Sequence, residues 1–119
     1  MKLQVREEAG VVILAAHGEI NYENTALVSE AIRQRLGRDH RFLLDLTNVP
    51  YMDSTSLGSV LDTLKAVRAR DGDLGLVGPA DNVLRILDLM EVTSLLEIYS
   101  TMEEGLASFA AATTGDRIP

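Results

Sequence analysis

From Val11 onward the chain alternates short apolar runs with longer segments whose apolar residues recur every three or four positions, and this alternation limits the folds open to it. Lys2 to Glu7 and Val11 to Ala16, joined through Glu8-Ala9-Gly10, read as a hairpin. Its second run is apolar enough to be buried on both faces. Helix is predicted from Tyr22 to Leu36, with Val28, Ile32 and Leu36 on one face and Gly37 ending it. A strand over Phe42 to Leu46 and a helix over Ser54 to Arg70 follow, the helix carrying Leu57, Val60, Leu61, Leu64 and Val67 as its apolar stripe. Asp71-Gly72 marks a turn before the strand Leu74 to Val77, which Gly78-Pro79 breaks. A helix over Asn82 to Met90, with Val83, Ile86, Leu87 and Met90 inward, leads to a strand over Leu95 to Tyr99. Ser100 with Glu103, and Thr101 with Glu104, form overlapping capping boxes for a last helix through Ala112. The expected fold is α/β: a mixed, mostly parallel sheet of about five strands with about four helices. It forms a single domain over residues 1–112, followed by a flexible tail at 113–119.

A chain of 119 residues suits one core, burying roughly two thirds of the surface that the unfolded chain exposes. Aromatic residues make up only 4% and tryptophan is absent, so aliphatic packing must fill that core. The net charge of −7, with scattered Lys and Arg, argues against direct nucleic-acid binding and against an anionic membrane surface. No apolar run reaches the roughly 20 residues that membrane insertion needs, and Lys2, Arg6, Glu7 and Glu8 break any signal-like run at the start. Without cysteine the chain has no disulfide or thiolate chemistry, which fits a cytoplasmic location.

One segment stands apart from this framework. Tyr51-Met52-Asp53-Ser54-Thr55-Ser56-Leu57-Gly58 places three adjacent hydroxyls after a carboxylate, where a strand gives way to a helix. The first N–H groups of a helix lack internal partners and carry the positive end of its dipole, so an added anion is stabilised there. A phosphate would bring about −1.5 to −2 charges and three acceptor oxygens to this point. Asp, Ser and Thr are also the preferred N-cap residues, and capping alone accounts for such a cluster. In open parallel sheets, loops at the carboxyl ends of the strands are where sites form, and this cluster lies in one of them.

Other chemistry finds little support. Gly72, Gly75 and Gly78 flank and interrupt a strand, with no Lys-Ser/Thr pair to make a nucleotide loop. His17 and His40 are single residues in separate segments, read as a strand-end and a surface-turn histidine rather than metal ligands. There is no Gly-x-Ser-x-Gly elbow, and Asp53 is a weak base at its ordinary pKa of about 3.9. No catalytic constellation, metal site or cofactor is expected.

Val49-Pro50-Tyr51-Met52-Asp53-Ser54-Thr55-Ser56-Leu57-Gly58 resembles the signature of STAS domains, usually Asp-Ser-[Ser/Thr]-Gly-[Leu/Ile]-Gly. This fold is shared by bacterial anti-sigma-factor antagonists and the cytoplasmic domains of sulfate transporters. Gly18-Glu19-Ile20-Asn21, Leu76-Val77-Gly78 and Met102-Glu103-Glu104-Gly105-Leu106 agree in order, so the resemblance extends from Leu3 to Phe109. It implies a binding protein whose hydroxyl cluster is phosphorylated by an anti-sigma factor with kinase activity and reset by a PP2C-type phosphatase. Carried over, Thr55 is the first candidate acceptor and Ser54 the second. Asp53 would position the acceptor, and Asp45 would support the loop from its strand end. The added charge would repel an acidic partner face and disrupt close apolar packing.

Two positions depart from the pattern. Ser56 stands where the family keeps Gly, and Asn21 where many members have Asp. Tyr51, Met52, Leu57 and Gly58 flank the motif as candidate partner contacts or as ordinary core. The alternative function is a constitutive scaffold of the same fold, in a stress-signalling assembly or beside a membrane transporter. Sequence leaves the oligomeric state open.

Overall fold

The opening hairpin turns where the chain must. Ala9 and Gly10 both take positive φ, 54° and 78°, the requirement of a two-residue turn matched to strand twist. The computed structural model describes residues 1–116, with side chains through residue 110. β1 (Lys2–Glu8) and β2 (Val11–His17) are followed by α1 (Thr25–Arg33), β3 (Arg41–Asn48), α2 (Ser54–Arg68), β4 (Asp73–Val77) and α3 (Asp81–Leu89). A 3₁₀ turn over Thr93–Leu95, β5 (Glu97–Tyr99) and α4 (Met102–Asp116) complete the described chain.

The five strands lie in sequence order, β1 antiparallel to β2 and the other neighbouring pairs parallel. Side chains alternate across this sheet, and each face has its own apolar layer. Val12, Leu14, Ala16, Phe42, Leu44, Leu46, Leu74 and Leu76 pack against Val28 and Ile32 of α1, Leu57, Val60, Leu64 and Val67 of α2, and Val83 and Leu87 of α3. On the other face Val11, Ile13, Leu43 and Val77 meet Phe109 of α4, with Leu106 and Tyr99 beside them. β2 is therefore buried on both sides, as its apolar run predicts. The glycines of β4 and α4 set how closely that last helix approaches. A Cβ at Gly75 would lie 2.7 Å from the Tyr99 ring, and one at Gly105 would lie 3.0 Å from a Leu43 methyl.

Several boundaries differ from the sequence expectation for local reasons. α1 begins at Thr25 rather than Tyr22, because Asn21 and Asn24 bond to nearby backbone and hold the approach as a turn. It ends at Arg33, and tighter bonds such as Leu36 N–H to the Arg33 carbonyl replace the helix before Gly37. α2 stops at Arg68, and Leu95 belongs to the 3₁₀ turn rather than to β5. The last helix is capped by Thr101, whose hydroxyl accepts the Glu104 N–H at 3.2 Å, while the Glu104 carboxylate accepts the Ser100 N–H. Its backbone stays helical to Asp116, four residues past Ala112. Of the tail expected at 113–119, the last three residues lie outside those described. Among the described residues no helix is long and apolar enough to cross a membrane.

Candidate functional site

At the carboxyl end of the sheet the β2–α1 and β3–α2 loops run side by side. The Gly18 N–H donates to the Asn48 carbonyl at 3.0 Å, and the Ile20 N–H donates to the Tyr51 carbonyl at 3.1 Å. A short parallel bridge pairs Ile20 with Met52, and both side chains are fully buried. This anchor delivers Asp53 to the start of α2 in an extended conformation, as an N-cap requires.

Asp53 joins the two loops. One carboxylate oxygen accepts the Ser56 N–H at 2.7 Å, which caps α2. The other accepts the Tyr22 N–H at 2.9 Å, from a residue 31 positions earlier. Partial burial by itself would raise the Asp53 pKa, but the Ser56 and Tyr22 backbone hydrogen bonds outweigh it and hold the carboxyl below its ordinary value. A carboxyl depressed on folding adds stability above its unfolded pKa, and that stability is lost as pH falls through the folded value. Asp53→Asn keeps a capping oxygen and removes the charge. It is expected to cost about 1 kcal/mol near neutral pH, a modest figure because the group is partly solvated. The difference from the parent protein should shrink as pH falls through and below the ordinary carboxyl range, as urea unfolding across pH would show; a constant difference would assign the effect to shape alone.

The three hydroxyls have different surroundings. Ser54 and Thr55, in the first turn of α2, are exposed, and among the described residues their hydroxyls make no hydrogen bond. Ser56 is fully buried. Its hydroxyl lies 2.9 Å from the Asp53 carbonyl and 3.3 Å from that of Ile20, tying the helix start to both loops. The third hydroxyl of the cluster is thus a structural one, inaccessible to a modifying enzyme. Ser56→Ala is expected to lower stability by about 1 kcal/mol while leaving the exposed pair open to modification, which thermal unfolding and phosphate mapping would check separately.

The remaining candidates divide by burial. Met52 and Leu57 are core residues, which corrects their reading as partner contacts, and Gly58 is half-buried in α2. Tyr51 is 44% exposed and remains available. Asn21 accepts the Glu23 N–H at 2.9 Å through its side-chain oxygen, a turn-forming role that an Asp would fill equally. Asp45 does not reach Asp53. It accepts the Thr47 N–H at 3.0 Å and the Thr47 hydroxyl at 2.6 Å, bracing the end of β3 next to Gly78. Sequence reading missed Tyr22 and Leu27, which are 67% and 53% exposed at the entry and first turn of α1. The available signal for Tyr22 was its place directly after Asn21, in a segment already matched to the family pattern.

The loops that leave the carboxyl ends of β2 to β5 carry Glu19, Glu23 and Asp53 and no Lys or Arg, and the first turns of α3 and α4 add Asp81, Glu103 and Glu104. The ion pairs within the described structure involve other residues, Arg6, Arg35, Arg38 and Arg68 with Glu7, Glu8, Asp39 and Asp73. The site therefore combines exposed tyrosines, an anion-favouring helix start and an acidic surround.

Comparison with known proteins agrees with this architecture. A Thermotoga neapolitana protein is 35% identical over 98 residues, covering 81% of this chain and 87% of its own length. The anti-sigma-B factor antagonist of Listeria monocytogenes is 31% identical over 105 residues, covering 87% of this chain and 91% of that protein. A Thermotoga maritima crystal structure superposes with a TM-score of 0.82 at 30% identity, covering 89% of this chain and 92% of that one. The anti-sigma factor antagonist SpoIIAA in its unphosphorylated form shares the fold, with a TM-score of 0.70 at 18% identity over 98% of this chain and all of that one. The model of the STAS domain matches residues 2–105, and the chain belongs to the STAS domain family.

Proposed function

We propose that this protein is a non-enzymatic anti-sigma-factor antagonist, binding a cognate anti-sigma factor with kinase activity and released by phosphorylation at Thr55 or Ser54. A PP2C-type phosphatase returns it to the binding state. The observation that carries this reading is the pair of exposed, unbonded hydroxyls at the start of α2, next to Asp53 and to the exposed Tyr22 and Tyr51. Likeness to the Listeria monocytogenes anti-sigma-B factor antagonist supports the partner class.

The physical logic is local. A helix start tolerates a phosphate without refolding, because free N–H groups and the dipole stabilise the anion. The same phosphate places about two negative charges where a partner must pack against tyrosine rings, at an end of the sheet whose loops and first helical turns already hold six carboxylates. Binding is lost while the fold persists.

The test is site-localised mass spectrometry of the tryptic peptide Phe42 to Lys65, after incubation with ATP and an extract of the native host. Phosphate is expected on Thr55 or Ser54 and not on buried Ser56. An unmodified peptide, with kinase activity shown on a control substrate, would replace the switch with a constitutive scaffold.

A further inference from the structure

β1 is an outer strand that pairs with β2 on one side only, so its other edge presents backbone N–H and C=O groups with no strand partner among the described residues. The opposite edge strand, β5, has three residues, whereas β1 has seven. Every residue of β1 except Leu3 is exposed, and Val5, 38% exposed, lies at its centre.

Charges commonly keep such edges apart, and β1 carries Lys2, Arg6, Glu7 and Glu8. Here their order decides the outcome. Two copies of β1 pairing antiparallel must keep inward and outward side chains on matching faces, which limits the registers to steps of two residues. With Val5 opposite itself, Lys2 stands across from Glu8 of the second copy and Gln4 across from Arg6, so no like charges meet. One step in either direction sets Arg6 against Lys2 or against itself. A single register is therefore complementary, and it centres on the exposed valine.

We propose that a second copy of this chain docks on β1, pairing antiparallel about Val5 and joining the two sheets into one. The two-fold axis of such a pair stands perpendicular to the sheet. It directs the two Asp53 loops to opposite ends of the assembly, leaving both free for a partner.

The test uses the intact chain at low ionic strength. Sedimentation equilibrium is expected to show a reversible monomer–dimer system. Because the chain has no cysteine, Val5→Cys introduces a single thiol on the axis, and mild oxidation is expected to cross-link it into dimers. Leu89→Cys, at a residue 77% exposed on α3, is expected not to cross-link. Glu8→Lys sets lysine against Lys2 and should weaken the dimer about tenfold, while adding Lys2→Glu in the same chain restores it. A protein that stays monomeric into the millimolar range overturns the proposal. So does a dimer indifferent to Glu8→Lys, or cross-linking that is as fast at Leu89→Cys as at Val5→Cys.

Discussion

Replacing Gly72 with alanine is expected to destabilise the protein by about 3 kcal/mol, at the upper end of what overpacking a close contact costs. The residue sits between α2 and β4, where a Cβ would run into the His40 carbonyl oxygen and lie 2.9 Å from a Val67 methyl. Neither neighbour can give way freely. The His40 carbonyl accepts the Asp73 N–H at 2.8 Å, holding β4 beside the start of β3, and the Gly72 N–H itself donates to the Val67 carbonyl at 3.1 Å. Val67 is fully buried. The left-handed conformation at this turn belongs to Asp71, with φ of 62°, so Gly72 is required for space and not for its backbone freedom. Gly37→Ala provides the control: a Cβ there meets nothing within 4 Å, and its effect should stay within about 0.5 kcal/mol. Urea midpoints of the two variants would separate them, and equal midpoints would show that the α2–β4 turn relaxes.

Thr55→Asp should weaken binding to the cognate anti-sigma factor by about 2–3 kcal/mol, roughly 30- to 100-fold, with no loss of thermal stability. The stability half follows from position. Thr55 is exposed in the first turn of α2, where a carboxylate is favoured by the helix dipole, so the melting midpoint is expected to stay or rise slightly. The binding half follows from the surround. On the proposed binding mode, in which the partner covers Tyr22 and Tyr51, an extra carboxylate next to Asp53 must lose water with no Lys or Arg in the neighbouring loops to compensate. Thr55→Ala, lacking both charge and hydroxyl, should bind normally and resist release at that position. Calorimetric titration of the three proteins against the purified anti-sigma factor decides the matter, and equal affinity for Thr55→Asp would remove the proposed switch.

Much of this architecture was legible in the sequence because it depends on local period. Apolar residues every second or every third to fourth position identify strands and helices wherever they pack, and the alternation from Val11 to Ala112 led to a mostly parallel sheet. The N-cap at Asp53 was legible for the same reason, since its bond to the Ser56 N–H spans three residues. Boundaries were less so. The start of α1 was set by asparagine bonds to backbone that compete with helix, and Leu95 was drawn into a 3₁₀ turn ahead of β5.

Within the site, sequence by itself determined that a capped helix begins at Asp53 with hydroxyls in its first turn. Tertiary structure alone decided which of them face outward. Pairing of Ile20 with Met52 brings two loops far apart in sequence into contact, sinks Met52 into the core, and leaves the Ile20 carbonyl within reach of Ser56. The same contact lets Asp53 hold the Tyr22 backbone, joining an exposed tyrosine to the start of α2 where no local pattern linked the two. A helix or a cap is stabilised by bonds spanning a few residues and so leaves its mark in neighbouring letters. Accessibility of a hydroxyl depends on which distant segment lies over it, and that is set only when the chain packs.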